Sequence, residues 1–259
     1  MLKVLQLSDL HLFPREGDGA GWCDAHEDLD TARTLSTVLS EIQRRGVDYD
    51  LCVVTGDIAQ QASEETYRRF ARLMDGVSTP IYCLPGNHDD VRIMRGVMPM
   101  GRVSAPGFAL RDGWLLAFLD SSLPDEEPSG RLSASELKRL ADLLEQHPRH
   151  QVMLFVHHQP IDVGSAWLDK IGLLNREALF DAIRGRDTVR AIVFGHVHQA
   201  FDRLENGVRL LGTPSTCIQF EPGRETFGYG APTPAWRELT LHPNGAIETS
   251  VGWATGIVM

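Results

Sequence analysis

Cysteine is scarce in this chain. Cys23, Cys52, Cys83 and Cys217 are scattered through 259 residues with no C-x-x-C pair. That excludes a thiolate zinc site and a disulfide framework. Cys52 and Cys83 fall inside the apolar runs Leu51–Val54 and Ile81–Leu84, so both are read as small buried hydrophobes. No apolar run approaches the ~18 residues that a membrane-spanning helix needs, and no membrane partner is expected. The stretch Met1 to Leu7 carries one Lys and is too short for the apolar part of a signal peptide. With unpaired thiols, this fits a cytoplasmic location. Positive charge is also in deficit, 25 Lys and Arg against 35 Asp and Glu, a net charge of -10. A sequence-independent grip on nucleic acid needs many basic contacts to phosphate, so no nucleic acid polymer is expected as partner. A small anionic substrate stays compatible, provided metal ions supply local positive charge.

With 42% hydrophobic residues, the chain can bury a core, and its length suits a single domain over 1–259. Strand-like runs alternate with amphipathic stretches. Val4–Leu7, Leu51–Thr55, Pro80–Leu84, Trp114–Asp120, Val152–Val156 and Val189–Phe194 read as strands. Leu29, Ala32, Leu35, Val38, Leu39 and Ile42 recur at helical spacing, and Gly46 is placed to end that helix. Ser63 is placed to cap a helix presenting Tyr67, Phe70 and Met74. Ser133 and Glu136 form a capping-box pattern for a helix through Leu144. Strands apolar on both faces and separated by helices indicate an α/β fold, a central sheet covered on both sides. Beyond Gly207 the helical periodicity fades. Val208–Leu211, Trp236–Leu241 and Ile247–Val251 read as strands, with a turn at Asn244-Gly245 between the last two.

Five short motifs stand at or just after strand ends: Asp9-Leu-His11, Gly56-Asp57, Gly86-Asn87-His88-Asp89, His157-His158 and Gly195-His196-Val197-His198. Each alone has an ordinary explanation as a turn, a cap or a core histidine. Jointly they do not, because ligands of open α/β sheets gather at the carboxyl ends of strands. Mixed imidazole, carboxylate and amide donors suit Fe, Mn, Zn or Co. A shared carboxylate can bridge two such ions ~3.5–4 Å apart, the arrangement of two-metal phosphoryl chemistry. Glycines before Asp57, Asn87 and His196 are expected to let the backbone turn tightly. Trp22, His26 and Trp167 stand in loops and are expected to cover core; Arg131 and the acidic run 125–127 are expected at the surface.

In this order, the motifs resemble the calcineurin-like metallophosphoesterases: D-x-H, G-D, G-N-H-[DE], H and G-H-x-H, spanning Asp9 to His198. The resemblance implies a four-layer α/β/β/α sandwich with central mixed β-sheets flanked by helices. It implies two divalent or trivalent metal ions, with Fe and Mn favoured. Asp9, His11, Asp57 and His198 hold one, and Asp57, Asn87, His157 and His196 hold the other, with Asp57 as bridge. Asn87 and His88 are the implied catalytic residues, and Asn87, His88 and His198 the implied substrate contacts. No Tyr follows Asp57 in Asp57-Ile-Ala-Gln60, which sets the chain apart from purple acid phosphatases.

Three further stretches resemble class III 3′,5′-cyclic-nucleotide phosphodiesterases. They are Leu119-Asp120-Ser121-Ser122 with Gly130-Arg131-Leu132, His157-His158-Gln159-Pro160, and Gly212 to Phe220. The implied reaction is in-line hydrolysis of a phosphodiester, 3′,5′-cyclic AMP to 5′-AMP, by a hydroxide bridging a dinuclear metal centre. Glycerophosphodiesters, other phosphodiesters and phosphomonoesters are the rival substrates. A metal-stabilised binding protein without turnover is the rival class. The implied partner is thus a small-molecule phosphodiester, and a homodimer is an assembly the sequence leaves open. Segment 207–259 is expected to complete the fold and shape the substrate pocket.

Overall fold

The structure is a computed structural model that describes residues 1–123 and 128–254; the acidic run 125–127 lies outside the described residues. The first half runs β1 (Leu2–Leu7), α1 (Thr31–Arg45), β2 (Leu51–Thr55), α2 (Glu64–Leu73), β3 (Ile81–Leu84) and α3 (Val91–Val97). Three short strands follow, β4 (Val103–Ser104), β5 (Phe108–Arg111) and β6 (Trp114–Leu119). Next come α4 (Ala134–Gln146), β7 (Gln151–Val156), α5 (Ala166–Asp169), α6 (Arg176–Ile183) and β8 (Val189–Phe194). The chain closes with β9 (Phe201–Glu205), β10 (Val208–Gly212), β11 (Ala235–Leu241) and β12 (Ile247–Trp253).

These strands form two six-stranded sheets, ordered β12-β11-β1-β2-β3-β4 and β5-β6-β7-β8-β10-β9. A single central sheet, the reading from apolar patterning, is therefore corrected to two sheets packed face to face, as the family resemblance implied. The physical reason lies in strand alternation. Leu2, Val4, Leu51 and Val53 of the first sheet meet Trp114, Leu116, Phe118, Met153 and Phe155 of the second in one buried layer. Their alternate neighbours Leu5, Leu7, Cys52 and Val54 turn outward under α1 and α2. Leu115, Ala117, Leu154 and Ile192 turn outward under α4 and α6. Hence the central strands are apolar on both faces, each face serving a different layer.

Local signals set the helices. Asp30 caps α1, its side chain accepting from Ala32 N and Arg33 N, and Gly46 at φ 64° ends it. Leu29 lies outside that helix. Ser63 caps α2 by accepting from Thr66 N, and Ser133 caps α4 by accepting from Glu136 N. The expected capping box stays half made, because the Glu136 carboxylate accepts from Asp120 N at 2.9 Å. Cys52 and Cys83 are fully buried, and burial pushes both thiols up.

Strands β1, β2 and β3 run parallel in one sheet, and β6, β7, β8 and β10 in the other. The carboxyl ends of both parallel sets lie at the same end of the sandwich. Below that end, Arg237 on β11, 3% exposed, reaches across to the second sheet. It donates to Gly212 O at 2.7 Å, Phe201 O at 3.2 Å and Thr213 Oγ1 at 3.2 Å. Thr213 in turn donates to Gln6 Oε1 on β1 at 2.6 Å. The two sheets are thus pinned together beneath their shared edge. Among the described residues, no helix is long and apolar enough to cross a membrane.

Leu116→Ala should cost ~2–5 kcal/mol, because it opens a cavity in the layer between the sheets. Leu204→Ala, on edge strand β9 and 70% exposed, should stay within ~0.5 kcal/mol of wild type. Urea unfolding followed by tryptophan fluorescence measures both, and equal effects would contradict the two-sheet core.

Candidate metal centre

Every sequence-predicted site residue follows a strand end: Asp9 and His11 after β1, Asp57 after β2, Asn87 and His88 after β3, His157 after β7, His196 and His198 after β8. The structure brings all eight together. Four overlapping groups, each with its donor atoms within 4.8 Å, join seven of them: Asp9-His11-His198, Asp9-Asp57-His157, His11-Asp57-His88 and His157-His158-His196. Asp57 Oδ2 lies 3.7 Å from His11 Nε2 and 3.4 Å from His157 Nε2, between two imidazoles of different sheets. Asp9 Oδ1 lies 3.4 Å from His198 Nε2. Asn87 Oδ1 is 3.1 Å from both His157 Nε2 and His196 Nδ1. His88, half-buried, stands edge-on to His11 at 5.1 Å.

Three histidines are oriented by their far nitrogens. His11 Nδ1 donates to Gln60 Oε1 at 2.8 Å, His157 Nδ1 to Thr55 O at 2.8 Å, and His198 Nδ1 to Ile218 O at 2.7 Å. Each Nε2 is thereby aimed at the centre and presents its lone pair there when the ring is neutral, the pattern that fixes metal-ligand tautomers. His11 Nε2 and His198 Nε2 stand 3.2 Å apart, and among the described residues the buried His196 Nε2 has no hydrogen-bond partner. Facing lone pairs at such distances repel unless positive charge lies between them.

The electrostatics agree. Burial alone would raise the Asp9 carboxyl, yet His198 and His157 hold it below its ordinary value. Asp57 is also fully buried, but His157 and His88 hold it well below the usual carboxylate range. Burial pushes His11 down to about 3 and His196 well below its ordinary value, leaving neutral imidazoles. Burial acts on His157 in the same direction, but Asp57 and Asp9 outweigh it and raise it to about 9. Two buried carboxylates beside the neutral imidazoles of His11 and His196 form a cluster fitted to bind cations.

The backbone at the site is unusual. Asp9, His11, Asp57, His196 and His198 have φ of 54°, 49°, 49°, 64° and 47°. Non-glycine residues seldom adopt this left-handed conformation, and strain of this kind concentrates at functional sites. The glycines act differently from the expectation. Of the three, only Gly56 (φ 89°) takes a left-handed turn. Gly86 and Gly195 are needed for space: a Cβ on Gly86 would strike the Asp57 carboxylate, and one on Gly195 would strike Ser8 Oγ and Asp9 Oδ2.

Sequence reasoning passed over several supports. Asp89 accepts from Ile58 N (3.1 Å), Ala59 N (3.0 Å), Gly86 N (3.0 Å) and Tyr67 Oη (3.1 Å), tying the exit of β2 to that of β3. It was visible as the last letter of the G-N-H-[DE] motif. His158 donates or accepts at Ser121 Oγ (2.8 Å) and lies 4.8 Å, ring to ring, from His196. Phe220 stacks on His198 with centroids 4.1 Å apart. Trp22, expected only to cover core, also stacks on His11 at 5.4 Å. His26 is half-buried, Trp167 packs on Phe220 and Phe227, and Arg131 is exposed.

The calcineurin-like phosphoesterase family model matches residues 2–200. The chain is similar to the 3′,5′-cyclic adenosine monophosphate phosphodiesterase CpdA of Vibrio vulnificus, 37% identical over 96% of this chain and 89% of that one. It is similar to the CpdA of Pseudomonas aeruginosa, 35% identical over 98% of this chain and 91% of that one. Among solved structures, a dimetal phosphatase from Danio rerio shares the fold, with a TM-score of 0.62 and 16% identity over 98% of this chain and 99% of that one.

Asp89→Ala removes the acceptor for three backbone N–H groups. The cost should be ~2–4 kcal/mol in urea unfolding, with a fall in bound metal measured by elemental analysis. Wild-type metal content in a destabilised variant would show that the two loops hold their geometry without Asp89.

Proposed function

This chain belongs to the calcineurin-like phosphoesterase family, and we propose that it hydrolyses 3′,5′-cyclic AMP to 5′-AMP. The observation that carries the reading is the position of Asp57 Oδ2 between His11 and His157, a carboxylate oxygen aimed at two donor groups at once. The donor set and the family imply a dinuclear metal centre. In this reading Asp9, His11, Asp57 and His198 hold one ion, and Asp57, Asn87, His157 and His196 the other, with Fe and Mn as the native pair. Near full-length similarity to the two CpdA phosphodiesterases favours the cyclic nucleotide over glycerophosphodiesters or phosphomonoesters. Retention of every motif residue favours an enzyme over a binding protein.

When bound, the two cations supply Lewis-acid polarisation of the phosphate and lower the pKa of a water enough for attack near neutral pH. The chain's own residues do the rest. The Asn87 carboxamide, with its oxygen turned to the imidazoles, offers its N–H groups to an equatorial phosphate oxygen. His198 and His88 flank the same phosphate. His88 is fixed by its backbone N–H donating to Asp57 Oδ1 at 2.9 Å, so its half-exposed ring stands at the mouth of the centre. There a ring nitrogen can hand a proton to the departing O3′, help worth ~10²–10⁴ in rate. Trp22 and Phe220 cover the outer faces of His11 and His198 and keep bulk water off them. The chain works as one domain, a small-molecule enzyme of the cytoplasm. Its segment after 207 contributes strands to both sheets and, between β10 and β11, shapes the substrate pocket.

Asp57→Ala should do more harm than loss of any other ligand, dropping bound metal from two ions toward one or none and turnover by ~10³ or more. Near wild-type turnover with Asp57 removed would sink the two-metal reading. His88→Ala should keep both metals and lose ~10²-fold or more of kcat on cyclic AMP, whose alkoxide needs a proton. On bis(4-nitrophenyl) phosphate, which releases a stable phenolate, the loss should be much smaller. Equal losses on both substrates would reduce His88 to a phosphate contact.

A further inference from the structure

Beyond the centre, a set of aromatic rings runs outward from the ring that covers His198. It starts at Phe220, which lies nearly flat on His198, 13° from parallel. Phe227 meets Phe220 edge-on with centroids 5.5 Å apart. Tyr229 packs edge-on to Phe227 at 4.7 Å, and Trp167 does so at 5.1 Å. The backbone keeps these rings in place. Glu221 N donates to Gly228 O at 3.1 Å and Gly230 N to Gln219 O at 2.8 Å, closing a loop in which Phe220 pairs with Tyr229. Strand-like alternation then puts Phe227 on the same face as Tyr229. The loop is anchored from outside where Gly223 N donates to Ser165 Oγ at 3.0 Å. Directly after the exposed segment Glu221–Thr226, Phe227 is therefore held by the loop, yet 50% exposed.

Building on the cyclic-nucleotide reading, we propose that Phe227, braced by Trp167 and Tyr229, is the platform on which the substrate's base stacks. Two ring-to-ring steps, 4.1 Å and 5.5 Å, lead from His198 to Phe227. That is comparable with the span from phosphorus to base in a nucleotide whose phosphate sits at His198. A rigid aromatic face loses little conformational freedom on binding and takes any base, because every base has a π-face. The platform thus selects nucleotides over base-free phosphodiesters while discriminating weakly between adenine and guanine.

The test follows turnover of bis(4-nitrophenyl) phosphate by the metal-loaded full chain, with 5′-AMP, 5′-GMP and ribose 5-phosphate as competitive inhibitors. Both nucleotides should inhibit wild type on the order of tenfold more tightly than ribose 5-phosphate. Phe227→Ala and Phe227→Leu should each bring the three inhibition constants to within about twofold, with bound metal unchanged. Phe227→Trp should keep the nucleotide preference. A preference that survives Phe227→Leu, or that wild type never shows, overturns the platform. Cyclic AMP hydrolysis by wild type is scored separately. Its absence would defeat the substrate proposed above, while the inhibition constants still judge Phe227.

Discussion

Among the described residues, no lysine or arginine stands beside the buried carboxylates Asp9 and Asp57, and the loops around them are arranged to keep both ionised. Each is held below the usual carboxylate range by imidazoles, against burial that acts the other way. Each is also built into the connection between loops. Asp9 accepts from His196 N with both oxygens at 3.1 Å, joining the exit of β1 in one sheet to the exit of β8 in the other. Asp57 accepts from His88 N with Oδ1 and leaves Oδ2 facing His11 and His157. Removing either carboxylate would unfasten the loops as well as take away a donor. Metal affinity and loop geometry are for this reason one property here.

Convergence of this kind demands unusual backbone. Five donor residues adopt left-handed φ, a conformation that costs of order 1 kcal/mol apiece for residues with a Cβ. Backbone hydrogen bonds offset that strain: Leu10 N and His11 N both donate to Asp57 O, at 2.8 and 2.9 Å, and Gly195 N donates to His157 O at 3.1 Å. Glycine supplies room at Gly86 and Gly195, where the neighbouring loop's carboxylate comes too close for any side chain. The sandwich fixes the frame. Arg237, Thr213 and Gln6 tie the sheets together just below the site, so each strand exit starts from a set position.

What could be read from the residues follows from which signals are local. Central strands such as Leu51–Thr55 and Val189–Phe194 were legible to the residue, because continuous apolar runs end abruptly at glycine-containing motifs. Caps at Ser63 and Ser133 were legible for the same reason. The division into two sheets was not, since a strand apolar on both faces looks alike whether it faces a helix or a second sheet. Edge strands β5 and β9 were missed, one short and mostly exposed, the other Phe201-Asp-Arg-Leu-Glu205. Their turn signals were present, for Asp112-Gly113 and Asn206-Gly207 both take the paired positive φ of tight hairpins. All eight proposed site residues were named from motif order. Phe220 and Trp22 against the histidines were not, because stacking between loops far apart in the chain has no local spacing.

The far end of β8 also carries a cavity. A hollow of about 600 Å³, lined by Arg184, Arg186 and Arg190, opens at the start of β8, the opposite end of that strand from His196. Its arginines are already engaged: Arg190 donates to Gln151 at 2.7 Å, Arg186 lies 3.9 Å from Glu145, and Arg184 pairs with Asp181. At the other end of β8, His196 Nε2 is buried with no partner among the described residues, and His11 Nε2 and His198 Nε2 face one another at 3.2 Å. Unmet demand for positive charge, rather than volume, distinguishes the two ends of the strand. That demand is met only where parallel strands from both sheets finish together, since no single sheet brings Asp57 and His157 within 3.4 Å. The four-layer sandwich is thus the device that lets two separate sheets furnish one dinuclear site.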